Sequence, residues 1–264
     1  MKISSKVICG ILNVTPDSFS DGGLYLEKEK AIRRAVLMVE EGAKWIDIGG
    51  QSSRPFSNPI SAAEEMNRVI PVLTEVRRKL PNIVISIDTY YPEVAMEAIK
   101  AGADVINDIT GLRDEKMIEV VLRYKKSVVI MHMKGTPSDM QKEPFYENVV
   151  DEIKRFFNEK IEKLNSYGFY DIILDPGIGF GKNLEHNIEI IKNMRVFKSM
   201  GYPIMFGPSR KSFIGAISGE KKPDKRVAGT ISACLYCYEF ADIFRVHDVY
   251  EINQAFLVFE KLLK

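Results

Sequence analysis

The stretch IVISIDTYYPEVAMEAIKAGADVIND, residues 83–108, holds the unit from which the rest of the chain can be read. Its first apolar run, IVISID, ends at Asp88. The segment PEVAMEAIKAG (92–102) then carries apolar residues every three to four positions, the spacing of an amphipathic helix. A second apolar run, VIND, ends at Asn107 and Asp108. Runs rich in Val and Ile with little polar alternation suit a parallel sheet covered by helices. Gly102 stands just before the second run, where a helix end favours a left-handed residue.

The unit recurs in both directions. Upstream, VICGILN ends at Asn13 and WIDIGG carries Asp47 and Gly49. Downstream, VVIMHM carries His132, IILD ends at Asp175, PIMFGPSRK ends at Ser209, Arg210 and Lys211, and IFRVHD carries Arg245, His247 and Asp248. Helical spacing fills 28–43, 62–80, 115–126, 145–168, 184–201, 225–240 and 249–264, and Gly42, Gly168 and Gly201 stand where Gly102 does. Eight such alternations in 264 residues predict an α/β chain forming one (β/α)8 TIM barrel domain over 1–264. A doubly wound open sheet is the alternative, and the regularity favours closure. In a barrel the C-terminal strand ends converge on one face and build the active site. A single polar residue there caps a helix or satisfies a loop, but eight strand ends finishing in such residues predict an enzyme.

Lys and Arg number 37 against 36 Asp and Glu, so no global field draws nucleic acid or acidic lipid, and phosphate binding must be local. No apolar run approaches the roughly 18 residues that span a bilayer, and MKISSKVICGILN passes into a strand pattern without a signal-peptide core. A cytoplasmic protein is expected. Cys234 and Cys237 form a C-x-x-C inside the apolar VAGTISACLYCYEF, which reads as buried helix packing rather than a redox or metal motif. The loops 15–27 and 51–61 are long, rich in Ser, Gly and Pro, and expected to act as lids over the site. DPGIGFGKN (175–183) spaces Gly177, Gly179 and Gly181 after a strand. It does not fit a dinucleotide fingerprint, and with Asp175 in front it suggests close approach of backbone to a flat ligand.

At ILNVTPDSFSDGG (11–23), DIGGQSSRP (47–55), SIDT (86–89), INDITG (106–111), MHMKGTP (131–137), DPGIGFGK (175–182), GPSRKSFIG (207–215) and RVHDV (245–249) the chain resembles the dihydropteroate synthases, in that family's order. The resemblance implies a stand-alone, bacterial-type transferase of folate synthesis and sulfonamide target. Such an enzyme joins 6-hydroxymethyl-7,8-dihydropterin pyrophosphate to p-aminobenzoate and releases pyrophosphate and 7,8-dihydropteroate. It also implies Mg²⁺ and a homodimer, to which the apolar surfaces of VAGTISACLYCYEF and VYEINQAFLVF point as well.

By motif position, Asp175 accepts from the amino-pyrimidinone edge of the pterin, Asn107 adds amide contacts and Lys211 donates to ring oxygen and nitrogen. Asp88 completes the pocket, while Met131, Phe180 and Gly207 supply apolar walls and close backbone approach. Arg245 and His247, two apart in a strand and so on one face, would hold pyrophosphate together with Asn13, Ser53 and Arg54. Asn13 would be the neutral oxygen ligand of Mg²⁺. Thr15, Pro16, Phe19, Ser53, Arg54, Lys211 and the helix start at Ser212 would surround p-aminobenzoate. Asp88, Lys211, Arg245 and His247 are the expected catalytic residues. No side chain stands out as a general base, and an uncharged aniline amine needs none, so an SN1-like displacement is expected. Gln51, Ser53 and Phe56 depart from the commonest family pattern of Glu, Thr and Gly, which bears on the aminobenzoate contacts. Corrinoid-linked methyltransferases share a pterin-binding barrel but should lack NVTPDSFSDGG and SRKS, both present here. A catalytically silent pterin-binding protein should lack Asn13, Arg245 or His247, and all three are present.

Overall fold

Residues 3, 5–15, 24–51 and 58–263 are described by a computed structural model, with backbone alone for 24–27. Pro16, Phe19, Ser53, Arg54 and Phe56 lie outside the described residues, as does most of both expected lids. The elements run β1 (Val7–Asn13), α1 (Leu24–Glu40), β2 (Trp45–Gly49), α2 (Ala62–Lys79), β3 (Val84–Asp88), α3 (Pro92–Lys100), β4 (Val105–Asp108), α4 (Glu115–Tyr124) and β5 (Ser127–Met131). They continue through α5 (Val149–Ser166), β6 (Ile172–Asp175), α6 (Leu184–Lys192), α7 (Met194–Lys198), β7 (Met205–Phe206), α8 (Ser212–Ser218), α9 (Val227–Tyr236), β8 (Ile243–Val246) and α10 (Val249–Leu262).

All strand pairs are parallel, in the order β6-β5-β4-β3-β2-β1-β8-β7. A parallel bridge between Leu174 and Ile204, with the Leu174 N–H donating to Pro203 O at 2.9 Å, brings β6 against the start of β7. The ring is thus joined at this short seam, and the barrel expectation holds.

Successive strand residues face opposite ways, so each run serves two cores. Cys9, Trp45, Val105, Val129, Ile173, Met205 and Ile243 form one buried cluster inside the ring. Their immediate neighbours Ile8, Ile46, Ile106, Val128, Ile172, Ile204 and Phe244 belong to the larger core under the helices. Cys234 and Cys237 are buried free thiols packed in that outer core, as expected. Among the described residues no helix is long and apolar enough to cross a membrane.

Two helical segments depart from the spacing. The run 184–201 breaks at Asn193, whose Nδ2 donates to Glu189 O at 2.9 Å and whose N–H is shared between the Glu189 and Ile190 carbonyls. This local competition with the backbone ends α6 and starts α7. The run from 145 becomes helical only at Val149, because Asn148 caps the Val150 and Asp151 N–H groups and the Tyr146 hydroxyl donates to Gly181 O at 2.8 Å.

Candidate active site

Towards the C-terminal strand ends, the inward-facing residues turn from apolar to polar. The register sets Asp47 beside Ser86, and Asp88 beside Asn107. Asp47 is fully buried and central. Ser86 Oγ donates to its Oδ1, while Asn107 Nδ2 and Arg245 Nε donate to its Oδ2 at 3.1 and 2.6 Å. Trp45 Nε1 donates to Ser86 Oγ at 2.6 Å, tying this polar layer to the apolar one below. Arg245 Nη2 also donates to Asp88 Oδ2 at 2.7 Å. One guanidinium bridging two carboxylates keeps charges paired where an unpaired ion would cost on the order of several kcal/mol. Burial pushes the Asp88 carboxyl up, and the Arg245 guanidinium opposes the rise. Asp47 has no assigned role in the sequence reading. The signal that marks it is its phase, since it shares the inward face of Trp45, where a carboxylate must find partners.

Asp175 ends β6, and its Oδ1 accepts the Gly177 N–H at 2.7 Å. Burial raises its carboxyl pKa, against the pull of Lys211. The loop beyond is pinned carbonyl by carbonyl: Lys211, Gln141, Lys182 and Tyr146 donate in turn to Ile178, Gly179, Phe180 and Gly181. Gly177 has φ +71°, and a Cβ there would stand 1.9 Å from His132 O, so only glycine fits. Lys182 is 2% exposed and also lies 3.1 Å from both the carbonyl and Nδ1 of His132. Burial drives the Lys182 amine well below its ordinary range. Burial and the neighbouring Lys182 drive His132 down to about 2, which makes this histidine a neutral structural acceptor. Lys211 Nζ stands 4.5 Å from the Phe180 ring centroid, and burial lowers its amine to about 8 against the pull of Asp175.

Met131 pairs with Asp175 across β5 and β6, and it clusters with Ile109, Met133 and Met140, against which Phe180 packs. The structure thus brings Met131 and Phe180 together in one apolar cluster. Gly207 follows Met205 by two residues, and a Cβ there would meet nothing nearer than 3.8 Å, so the missing side chain leaves space beside Arg245.

β8 ends at Val246, one residue before His247, and Arg245 and His247 are both half-buried on either side of the buried Val246. Arg245 turns to Asp47 and Asp88, whereas His247 Nδ1 lies 2.9 Å from Ser209 Oγ. Asn13 and Thr15 are half-buried at and beyond the end of β1, and Ser212 is exposed at the first position of α8. Two further strand-end groups stabilise local structure. Arg210 pairs with Asp248, and Asp108 accepts from Thr110 and from the Leu112 N–H.

The arrangement can hold a flat, polar-edged molecule between carboxylates and cations, with an apolar wall on one side. Residues 9–247 match the family described as pterin binding enzyme. The dihydropteroate synthase of Synechocystis sp. is 44% identical, covering 97% of this chain and 89% of its own. That of Escherichia coli K12 is 40% identical, covering 100% and 94%. Xanthomonas albilineans dihydropteroate synthase with 4-aminobenzoic acid superposes with a TM-score of 0.94 at 37% identity, covering 100% of this chain and 95% of that one. The same protein in complex with 7,8-dihydropteroate gives 0.90 at 35% identity, with 100% and 95% covered. The chain therefore belongs to the pterin-binding enzymes and, within them, to the dihydropteroate synthase family.

Proposed function

We propose that the chain, acting as one pterin-binding barrel domain over 1–264, is a transferase that condenses 6-hydroxymethyl-7,8-dihydropterin pyrophosphate with p-aminobenzoate. The observation that carries this reading is the inward polar layer, where Asp175, Asn107 and Lys211 share one mouth with the space beside Gly207 and with the Asp88–Arg245 pair. Asp175 accepts from the amino edge of the pterin, and Lys211 donates to its ring oxygen and nitrogen. Arg245 keeps its Nη1 without a hydrogen-bond partner among the described residues, and this donor, with His247, faces the leaving pyrophosphate.

The C–O bond to pyrophosphate breaks first. The positive charge left on the exocyclic carbon is shared with the pterin ring and stabilised by Asp88 and Asp175. The uncharged aniline nitrogen then forms the C–N bond, and the acidic anilinium proton passes to water. Fixed charges, rather than a general base, supply the acceleration.

Asn13 holds Mg²⁺ in this reading. Among the described residues no three His, Cys, Asp or Glu cluster to bind a metal, and a neutral amide oxygen suits an ion that takes most ligands from phosphate and water. An ion held there would supply charge neutralisation for pyrophosphate. Thr15, Lys211 and Ser212, with Pro16, Phe19, Ser53 and Arg54 of the two long loops, receive aminobenzoate, and a sulfonamide competes for the same place. Exposed Tyr236, Tyr250, Leu257, Val258 and Leu262 on α9 and α10 support a homodimer. Three buried free thiols fit a reducing cytoplasm.

The test is turnover of both substrates with Mg²⁺, following pyrophosphate and dihydropteroate together. Equimolar appearance of both, dependent on aminobenzoate, is expected. Tight pterin binding without product would show a silent binding protein instead.

A further inference from the structure

The cavity at the base of the second loop holds a polar arrangement that this chemistry does not use. It is lined by Gln51, Glu65, Asp88, Thr89, Tyr90 and Ile109. Glu65, in the first turn of α2, is 1% exposed, and its Oε2 accepts from Thr89 Oγ1 at 2.9 Å. Among the described residues its Oε1 has no hydrogen-bond partner, and neither has Oε1 of Gln51, whose Nε2 donates to the Tyr90 hydroxyl at 2.7 Å. Two buried acceptors on one cavity, with no hydrogen-bond donor for either among the described residues, form an arrangement that folded proteins avoid.

Glu65 also joins two elements of the site. Through Thr89 it holds the residue that follows Asp88. The Gly50 backbone interacts with its carboxyl, while Arg68 Nη1 donates to Gly50 O at 3.0 Å. The point where the second loop leaves β2 is therefore clamped by the start of α2. A Cβ on Gly50 would stand 2.6 Å from Val69 Cγ1 and 3.0 Å from Glu65 Cγ, so the clamp is close-fitting.

We infer that Glu65 is a positioning residue for the condensation, carrying its carboxyl as the neutral acid whose proton supplies the donor these acceptors lack, and so fixing the departure of the second loop relative to Asp88. This rests on the reading that the second loop completes the aminobenzoate site. Burial favours the neutral form, while Thr89, the Gly50 backbone and Arg68 favour the ionised one. Asp88 from β3 is a second carboxylate on the cavity, with Arg245 as its cation. Arg68, the α2 cation that acts on Glu65, is shared with Glu64 and Gly50 O, and Tyr90 and Tyr91 bring hydroxyls rather than positive charge. Burial pushes the Glu65 carboxyl up to about 7, so ionisation falls within the working range of a pH profile.

The experiment compares the parent with Glu65→Gln and Glu65→Ala, measuring kcat and both KM values from pH 5.5 to 9. Gln offers a donor and cannot ionise. It should keep the KM for aminobenzoate near the parent value at pH 6 and lack the rise expected of the parent above pH 7. Ala should raise that KM about tenfold or more, leaving the pterin KM within a few-fold. Gln as damaging as Ala at pH 6 would overturn the proposal, because it would mean that the ionised carboxylate is needed. If Ala fails to fold, infrared difference spectra of parent against Gln decide the matter without turnover. A protonated-carboxyl carbonyl band at pH 6, lost in Gln, is expected, and its absence would also overturn the proposal. Loss of turnover in the parent with that band retained would refute the condensation reading alone.

Discussion

The lower and upper halves of the barrel interior are built on the same inward faces, two residues apart, and obey different physics. On β2 the step is from Trp45 to Asp47, on β4 from Val105 to Asn107, on β6 from Ile173 to Asp175 and on β8 from Ile243 to Arg245. The lower side chains need only contact, because apolar burial is non-directional. The upper ones need partners at fixed distances, because a buried charge or amide without one is costly. They find those partners within the barrel, with Arg245 serving Asp47 and Asp88, and Asp175 and Lys211 offsetting each other. A ligand must therefore exchange with or add to pairs that already exist, and one with the wrong donors leaves charges exposed to the low-dielectric interior. Discrimination follows from that exchange.

The largest effect should come from the lower half. Trp45 is fully buried, and Trp45→Ala should cost about 3–5 kcal/mol of stability, read as a lower denaturation midpoint. The folded fraction should keep its pterin affinity within a few-fold. A variant of parental stability that no longer binds pterin would erase the division between the halves.

At the edge of the upper half, Glu65 should make stability depend on pH. Its carboxyl is raised from 4.5 to about 7 in the folded state, so the folded chain binds that proton more tightly than the unfolded one. The contribution is fully present below about pH 4.5 and is lost as pH rises through about 7. Its size is on the order of 3 kcal/mol. Denaturant midpoints at pH 5 and pH 8 should therefore differ more for the parent than for Glu65→Gln. Parallel profiles would remove Glu65 from the titration.

The smallest effect on stability should come from Gly207→Ala, because Gly207 is not among the positive-φ glycines and its Cβ would meet nothing within 3.8 Å. Stability should stay level or rise by about 0.4–1 kcal/mol. Pterin affinity should fall nonetheless. Parental affinity would mean that the space beside Arg245 is not the ligand's.

Much of this contrast is legible in the sequence, because strand ends fix position by topology. Met131 and Asp175 fall side by side once the strand order is known, as do Asp88 and Asn107, and the glycine loop after Asp175 announces its own tight turns. What is not legible are pairings between distant strands. Asp47 takes Asn107 from 60 residues away and Arg245 from 198, and no local pattern encodes either bond. His247 meets Ser209 from 38 residues away, and Asn193 ends a helix through a side-chain bond that periodicity cannot register. Glu65 reads as one of two acids opening a helix, and only its burial beneath Gly50 sets it apart from Glu64.

Asp175→Asn tests the central claim most directly, that the upper half is a site for a pterin edge. The substitution keeps volume but turns one acceptor into a donor facing N–H groups. Calorimetric titration of the pterin alcohol should show affinity lower by about 1–3 kcal/mol, roughly fivefold to 150-fold, at an unchanged unfolding midpoint. Equal affinity in parent and variant would contradict the account.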